Sequence, residues 1–322
     1  MAISPLDLQT APADLGQVHQ RIAAALASPL PAMRPLIRQL EHYHGKMLRP
    51  RLVLLMAQAL GHVREEHLTL AAVVEMVHLA TLVHDDVLDE ADQRRGQATI
   101  HRMFGAPTAI LLGDYLFSHA FRLCSSLGDQ HASELISGTA ARLCEGEVAQ
   151  INARGRLDLT VDEYEFIIAS KTAALISTSC ALGASYTDAD GHLVHEAAGF
   201  GHELGMAFQI VDDLLDLVGE RRTLGKPVGR DLAMGKLTLP LILHLQRVDA
   251  AGRELTHRQI EQGAAALPAI RQALHSSGAM DAALDEARKR VGQALAHLAM
   301  FPPSPARDTL RTTAEFVLLR QK

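Results

Sequence analysis

Twice in this chain the same spacing of aspartates interrupts apolar, helix-forming sequence, and any fold must accommodate both copies. Leu82 to Gly96 reads LVHDDVLDEADQRRG, which sets Asp85, Asp86 and Asp89 in a D-D-x-x-D pattern. Phe208 to Leu217 reads FQIVDDLLDL and repeats the pattern with Asp212, Asp213 and Asp216. On an α-helix, positions i and i+4 share a face. Asp85 and Asp89 are therefore predicted neighbours with Asp86 beside them, and Asp212 and Asp216 repeat this with Asp213. Adjacent carboxylates repel and would weaken an isolated helix. A solvated face tolerates them, and so does a face that binds hard cations. Mg²⁺ takes oxygen ligands, typically one or two carboxylates together with substrate phosphates and water. A lone copy would read as solvated surface. Here Ala80 to Val83 and Phe208 to Val211 flank the motifs, and Val87, Leu88, Leu214 and Leu215 lie inside them. Carboxylates within buried helices are rare unless paired or metal-bound. Each motif is thus expected to be half of a metal–diphosphate site.

The rest of the chain favours helices. Of 322 residues 48% are hydrophobic, enough for a large core, and there is no Trp and only 4% aromatic content. Ala and Leu dominate, which favours helix, and long Val/Ile/Thr alternations are absent, which argues against a sheet. The expectation is one all-α domain over residues 1–322, with 1–15 a loose arm carrying Pro5 and Pro12. The formal net charge of −6 argues against a nucleic-acid partner. Cys124, Cys144 and Cys180 are odd in number and widely spaced, which suits small core hydrophobes in a reducing cytoplasm. The N-terminus lacks the basic and apolar regions of a signal peptide. No uninterrupted apolar run approaches the roughly 20 residues of a membrane span, so a soluble, cytoplasmic protein without one is expected.

Several other positions stand out along the chain. Lys46 and Arg49 sit in GKMLRP, at a loop-to-helix junction, and could be ordinary surface charge. His78 lies seven residues before Asp85, on roughly the same face; it could be a hydrogen-bonded core residue or a donor to phosphate. Asp89 to Gly105, with Arg94 and Arg95, reads as a loop able to close over a site. Thr160 to Glu163 is a capping box, opening a helix that carries Ser170-Lys171-Thr172 amid apolar residues. Lys171 there is either snorkelling or serving an anion. Gly219 to Gly235 is a glycine-rich loop with Arg221, Arg222, Lys226 and Arg230, and Lys236 follows as the opening of the next helix.

These segments, HDDVLDEADQRRG, GKxLRP, SKTAALI, FQIVDDLLD and GKPVGRDLAMGKLTLPL, stand in the order found in the trans-isoprenyl diphosphate synthases, the polyprenyl synthetase family, which the chain resembles over roughly residues 40–245. The family's first basic motif usually reads GGKR; here it is His44-Gly45-Lys46-Met47, so one Gly and the second base are missing. The resemblance implies a bundle of long antiparallel helices around a central cavity, and a homodimer. It implies an allylic diphosphate, such as farnesyl or geranyl diphosphate, between the two acid motifs. It also implies Mg²⁺, three ions per site, with Asp85, Asp89 and Asp212 matching the direct ligands. Asp86, Asp213 and Asp216 match direct or water-mediated ones. Arg94, Lys171 and Lys236 match bases for the allylic diphosphate, and Lys226 a base on a closing loop. Isopentenyl diphosphate matches Lys46, Arg49, His78 and Arg95. Thr172 and Gln209 match polar groups near the cationic carbon.

The implied reaction ionises the allylic carbon–oxygen bond and condenses the cation with isopentenyl diphosphate, head to tail (1′–4), releasing diphosphate. Ala80 and Thr81, five and four residues before Asp85, match the positions that set product length. Both are small, where makers of short products often carry Phe or Tyr. A long product, C30 or more, is expected, as from the family's long-chain polyprenyl diphosphate synthases such as those making octaprenyl chains. Val77 and Leu111 to Phe117 could line the tunnel beyond, and Tyr115 or Phe117 could stop the chain sooner, at about C20 to C25; the alternative is a short-chain geranylgeranyl or farnesyl diphosphate synthase. A class I terpene cyclase would not need the second diphosphate site, and a non-catalytic regulatory subunit would have lost motif acids.

Overall fold

In a computed structural model of the chain, residues 12–218 and 229–319 are described, and they are almost wholly helical. The chain divides into two compact units, each considered by itself. The first comprises Met1–Ala141, Leu175–Gly201 and His297–Thr313; the second comprises Arg142–Ala174, His202–Ala296 and Ala314–Lys322.

The first unit is built on α4 (Glu65–Leu88), which α1 (Pro12–Ala25), α3 (Leu48–Leu60) and α6 (Ala106–Ser125) pack against. Its residues Leu70 to Val74, Met76, Val77, Leu79 and Ala80 are fully buried. That explains a helix apolar on nearly every face: one surrounded by others needs no polar stripe. Glu65–Leu88 and Val161–Ser185 are long and apolar enough, by composition, to cross a membrane, although the sequence contains no uninterrupted run of that length. Inside the protein 78% and 67% of those stretches are buried, as expected of core helices. Helix α2 covers Met33–Leu40, and α1 starts at Pro12, a residue suited to a first helical turn.

The segment expected to be a loop after the first acid motif is more ordered than that. Gln93–Arg94 (β1) and Gln97–Ala98 (β2) pair antiparallel, Arg94 opposite Gln97, and α5 follows at Ile100–Phe104. Arg95 and Gly96 form the two-residue turn with φ of 51° and 77°, the left-handed pair that matches strand twist in a tight hairpin. Sequence patterning missed it because two-residue strands leave no alternation to read.

In the second unit, Thr160 accepts the Glu163 N–H and Glu163 returns to the Thr160 N–H, so the capping box forms and starts α8 (Val161–Ile168). A π-helical turn, Ala169–Ala173, follows before α9 (Ala174–Ser185). The turn carries Ser170, Lys171 and Thr172, and single π turns within α-helices often mark functional positions. Helix α10 (Gly191–Val218) ends on the second acid motif. At Gly205 it passes so close that a Cβ would lie 2.5 Å from the Ala173 Cα, and this approach brings α10 against the π turn. Beyond come α11 (Arg230–Ala233), α12 (Leu239–Arg247), α13 (Ala250–Glu261), α14 (Leu267–Ser276), α15 (Ala279–Ala299) and α16 (Pro305–Leu319), with α7 (Gln130–Ala153) earlier in the chain. Lys236 lies before α12 rather than opening it, because Thr238 and Pro240 supply the helix start.

Candidate active site

In the first unit the acid motif occupies the last turn of α4. Asp89 N–H donates to Asp85 O at 2.8 Å, so the two residues sit one turn apart, and both side chains are half-buried. Asp86 points the other way and is 1% exposed. The Arg94 guanidinium grips it, Nε donating to Oδ1 and Oδ2 at 3.1 and 3.0 Å and Nη2 to Oδ1 at 2.8 Å. The buried Tyr43 hydroxyl donates to Oδ2 at 2.7 Å and accepts the Ile100 N–H at 3.1 Å. Burial first, then the Asp86 carboxylate, pushes the Tyr43 phenol well up. Adjacent in sequence, Arg94 and Arg95 are sent apart by the hairpin. Arg95 Nη1 donates to Tyr43 O at 2.9 Å and lies over Gly45, where a Cβ would sit 2.3 Å from the guanidinium and make it shift.

Beside this clamp is a concentration of positive charge. His78 is kept neutral by burial and then by Arg49, Arg94, Arg95 and His44. Arg49 is pulled down to about 10 by burial, with Glu75 opposing, and its buried Nε has no hydrogen-bond partner. A buried, unpaired guanidinium N–H is costly, so the site is shaped for an anion. Glu75, 2% exposed, faces the cluster and lies 3.3 Å from His44 Nδ1. Lys46 is exposed at the rim of the loop. Behind the motif Val77 and Ala80 are fully buried, and Thr81 bonds its own helix at His78 O, 2.8 Å away. Leu111 is 68% exposed, so it lines no buried path within this unit; Leu112 and Leu116 are the buried leucines of α6.

In the second unit a cavity of about 150 Å³ is lined by Lys171, Thr172, Gln209, Asp213, Asp231 and Lys236 among others. Lys171 pairs with Glu147 and donates to Gln150 Oε1 at 2.6 Å. Thr172 donates to Gln209 Oε1 at 2.8 Å, and Gln209 Nε2 donates to Asp213 Oδ1 at 2.8 Å. Tyr164 donates to Asp213 Oδ2 at 2.7 Å. Asp213 is 5% exposed, and burial followed by the nearby Asp231 holds its carboxyl well above the usual range. Asp231 is pushed up to about 6 by burial and by Asp216, with Lys236 opposing. Asp216 accepts the N–H groups of Arg230 at 3.3 Å and Asp231 at 3.0 Å, which ties the start of α11 to α10. Asp212, like Asp85, is half-buried.

The second aspartate of each motif is thus turned inward onto a tyrosine. The first residues, and Asp89, stand at the boundary between core and solvent. Among the described residues no three His, Cys, Asp or Glu side chains are gathered to hold a metal ion by themselves. The donors present fit a hard cation that takes one or two carboxylates and completes its shell with water and substrate phosphate oxygens. Lys226, with Arg221 and Arg222, lies outside the described residues. Sequence reasoning singled out neither Tyr43, Glu75, Glu147, Gln150, Tyr164 nor Asp231. The one available signal was Tyr164, two turns before Lys171 on the same helix face.

Comparison with known proteins identifies the family and fold. Residues 31–276 match the polyprenyl synthetase family. The octaprenyl diphosphate synthase of Escherichia coli (strain K12) is 34% identical over 307 residues, covering 94% of this chain and 95% of its own length. A short chain isoprenyl diphosphate synthase of Methanothermobacter thermautotrophicus is 35% identical, covering 94% of this chain and 95% of its own. The crystal structure of a decaprenyl diphosphate synthase from Rhodobacter capsulatus superposes with a TM-score of 0.91 at 35% identity, covering 96% of this chain and 97% of that one. With the family match over most of the chain, relatives at about one third identity along nearly its whole length and the order of the motifs all in agreement, the chain belongs to the polyprenyl synthetase family of all-α trans-prenyltransferases.

Proposed function

We propose that this enzyme condenses isopentenyl diphosphate with an allylic diphosphate to give a trans-polyprenyl diphosphate of C30 or longer. The observation that carries the reading is that each unit has its own acid motif with basic side chains near it, Arg49, Arg94 and Arg95 in the first and Lys171 and Lys236 in the second, as two diphosphate substrates would need. Arg49, His78 and Arg95, with Lys46 at the rim, would hold isopentenyl diphosphate, and the unpaired Arg49 Nε would donate to it. Lys171 and Lys236 would hold the allylic diphosphate, Lys171 exchanging part of its contact with Glu147 for phosphate oxygen. Arg94, which the resemblance assigns to the same diphosphate, is engaged with Asp86. Mg²⁺, three ions by family expectation, would be held by Asp85, Asp89 and Asp212 and would neutralise charge developing on the leaving diphosphate.

As the carbon–oxygen bond breaks, Lys171 and Lys236 meet negative charge on the departing oxygen. Thr172 and Gln209 turn oxygen dipoles toward the carbon left positive. The isopentenyl double bond attacks that carbon and a proton is then lost, for which the departing diphosphate is the acceptor. Holding both reactants in attack geometry supplies much of the acceleration. Small side chains at Ala80 and Thr81 support the long product. A homodimer and a cytoplasmic location complete the reading; the exposed Ile110 and Leu111 on α6 and the three free cysteines support them.

The test is chromatography of the products formed from radiolabelled isopentenyl diphosphate and farnesyl diphosphate. A polyprenyl diphosphate of C30 or longer is expected. A C15 or C20 product would overturn the length assignment, and a cyclic hydrocarbon from farnesyl diphosphate alone would make the chain a cyclase.

A further inference from the structure

Between α2 and α3 the chain wraps around one guanidinium. Arg95 Nη1 donates to Tyr43 O, and Gly45 lies against the same group. His44, between these two residues, is thereby held beside Arg95. Its side chain is 16% exposed, and Nδ1 lies 3.3 Å from Oε1 of Glu75, whose side chain is 3% exposed. A carboxylate accepts, so the Nδ1–H of the imidazole donates to it. The ring of His19, from α1, packs edge-on against the His44 ring with centroids 5.2 Å apart. Glu75 is the one hydrogen-bond partner of His44 among the described residues, which leaves Nε2 for a ligand.

This ring stands within the cationic cluster of the first unit. Glu75 and His78 are three residues apart on α4 and share a face. His44 is one of the charges that hold His78 neutral, with Arg49, Arg94 and Arg95. Glu75 in turn acts on Arg49, Arg95 and His19. One buried carboxylate therefore sits among two guanidiniums and two imidazoles, and hydrogen-bonds to an imidazole. Arg49 Nε, also buried, has no partner. A spare ring nitrogen and an orphaned guanidinium N–H in one cluster are donors awaiting an anion, since buried donors are costly to leave unpaired.

We propose that His44 Nε2 is a further donor to the diphosphate of isopentenyl diphosphate, beside Arg49 and Arg95, with Glu75 anchoring the ring. This rests on the proposed placement of that substrate. Between Glu75 and a diphosphate the ring donates at both nitrogens, which only the imidazolium can do, and an anion on each side favours that form. The family's usual first basic motif has a glycine at this position and its second base at 47. Here Met47 is buried at 5% exposure, so His44 brings to the cluster a donor that position 47 does not.

The experiment is calorimetric titration of isopentenyl diphosphate into the full chain without Mg²⁺ or allylic substrate, followed by KM for each substrate in the complete reaction. His44→Ala should weaken binding and raise KM for isopentenyl diphosphate by about 10- to 100-fold, the range for one hydrogen bond to a charged group. KM for the allylic diphosphate should stay within about threefold, because the loss is confined to one substrate's binding. His42→Ala, exposed two residues away, should change the affinity by less than about twofold, as surface substitutions do. His44→Gln, which keeps an N–H, should recover part of the loss, as a fold defect would not. Glu75→Gln separates a donor from a counter-charge. In that background His44→Ala should still cost at least about fivefold, because the contact with phosphate remains to be lost. A cost within about twofold there would mean that His44 only neutralises Glu75, and would overturn the assignment. Affinity unchanged by His44→Ala, or equal rises in KM for both substrates, would overturn it too, leaving the proposed function standing. An unsubstituted chain that neither binds isopentenyl diphosphate nor condenses it would refute the proposed function and this assignment together.

Discussion

Replacing Asp86 by Ala isolates what the inward half of the first acid motif contributes. Asp86 receives three N–H contacts from Arg94 and one O–H from Tyr43, at 1% exposure. Its removal strands a guanidinium whose side chain is 16% exposed. Breaking a buried ion pair from one side costs about 3–5 kcal/mol, because the remaining charge is uncompensated. The Tyr43 hydroxyl loses an acceptor as well, about 1 kcal/mol more, although it still accepts from Ile100. At roughly 2–4 °C per kcal/mol for larger domains, the melting temperature should fall by about 8 °C or more. Asp86→Asn keeps the shape and one good acceptor, so it should lose about half as much, the difference between charge-assisted and neutral bonds. Asp85→Ala, one residue away, removes a carboxylate from a crowded, half-exposed face and should leave the melting temperature within about 2 °C, as surface substitutions do. Thermal melts of the three purified variants, followed by helical circular dichroism, check this. If Asp86→Ala and Asp85→Ala melt together, the clamp of Arg94 and Tyr43 on Asp86 does not contribute to stability and the reasoning fails.

Asp85→Ala and Asp212→Ala should keep the fold and lose several orders of magnitude in turnover, since diphosphate charge would go uncompensated in the transition state; near-normal Mg²⁺-dependent rates would refute the two-motif site. Arg49→Ala should chiefly raise KM for isopentenyl diphosphate and Lys171→Ala chiefly impair the allylic substrate, which steady-state kinetics varying each substrate would show, the reverse pattern counting against the assignment. Thr81→Phe should shorten the product by filling the level one turn below Asp85, and an unchanged chain length on chromatography would place the tunnel floor elsewhere. His67, pulled down to about 4 from 6.5 by burial, accepts the Arg64 N–H on Nδ1 at 2.9 Å and so must be neutral in the fold. Because its folded value lies below its unfolded one, the unfolded chain takes up the proton first as pH falls. Stability from this group should therefore be lost between about pH 6.5 and 4, and His67→Gln, which keeps the capping box, should flatten that part of a melting-temperature profile.

The chain by itself determined the all-helical class and the place of the two acid motifs on helices. Each of these rests on periodicity and spacing within one helix, where residues close in sequence are close in space. The capping box at Thr160 was legible for the same reason. What the tertiary structure decided is which way each aspartate faces and what holds it there. Asp85, Asp86 and Asp89 look alike as letters, but Tyr43 and Arg94, 43 and 8 residues away, choose the one that is buried. Tyr164 and Gln209 make the same choice for Asp213 from 49 and 4 residues away. The tight turn that aims Arg94 and Arg95 apart depends on two positive φ angles in a stretch too short to show alternation. Gly205, where a Cβ would lie 2.5 Å from the Ala173 Cα, lets α10 approach the π turn that carries Thr172. Spacing along a helix tells which groups can share a face; the direction of a hydrogen bond is set by the partner that arrives from another part of the chain.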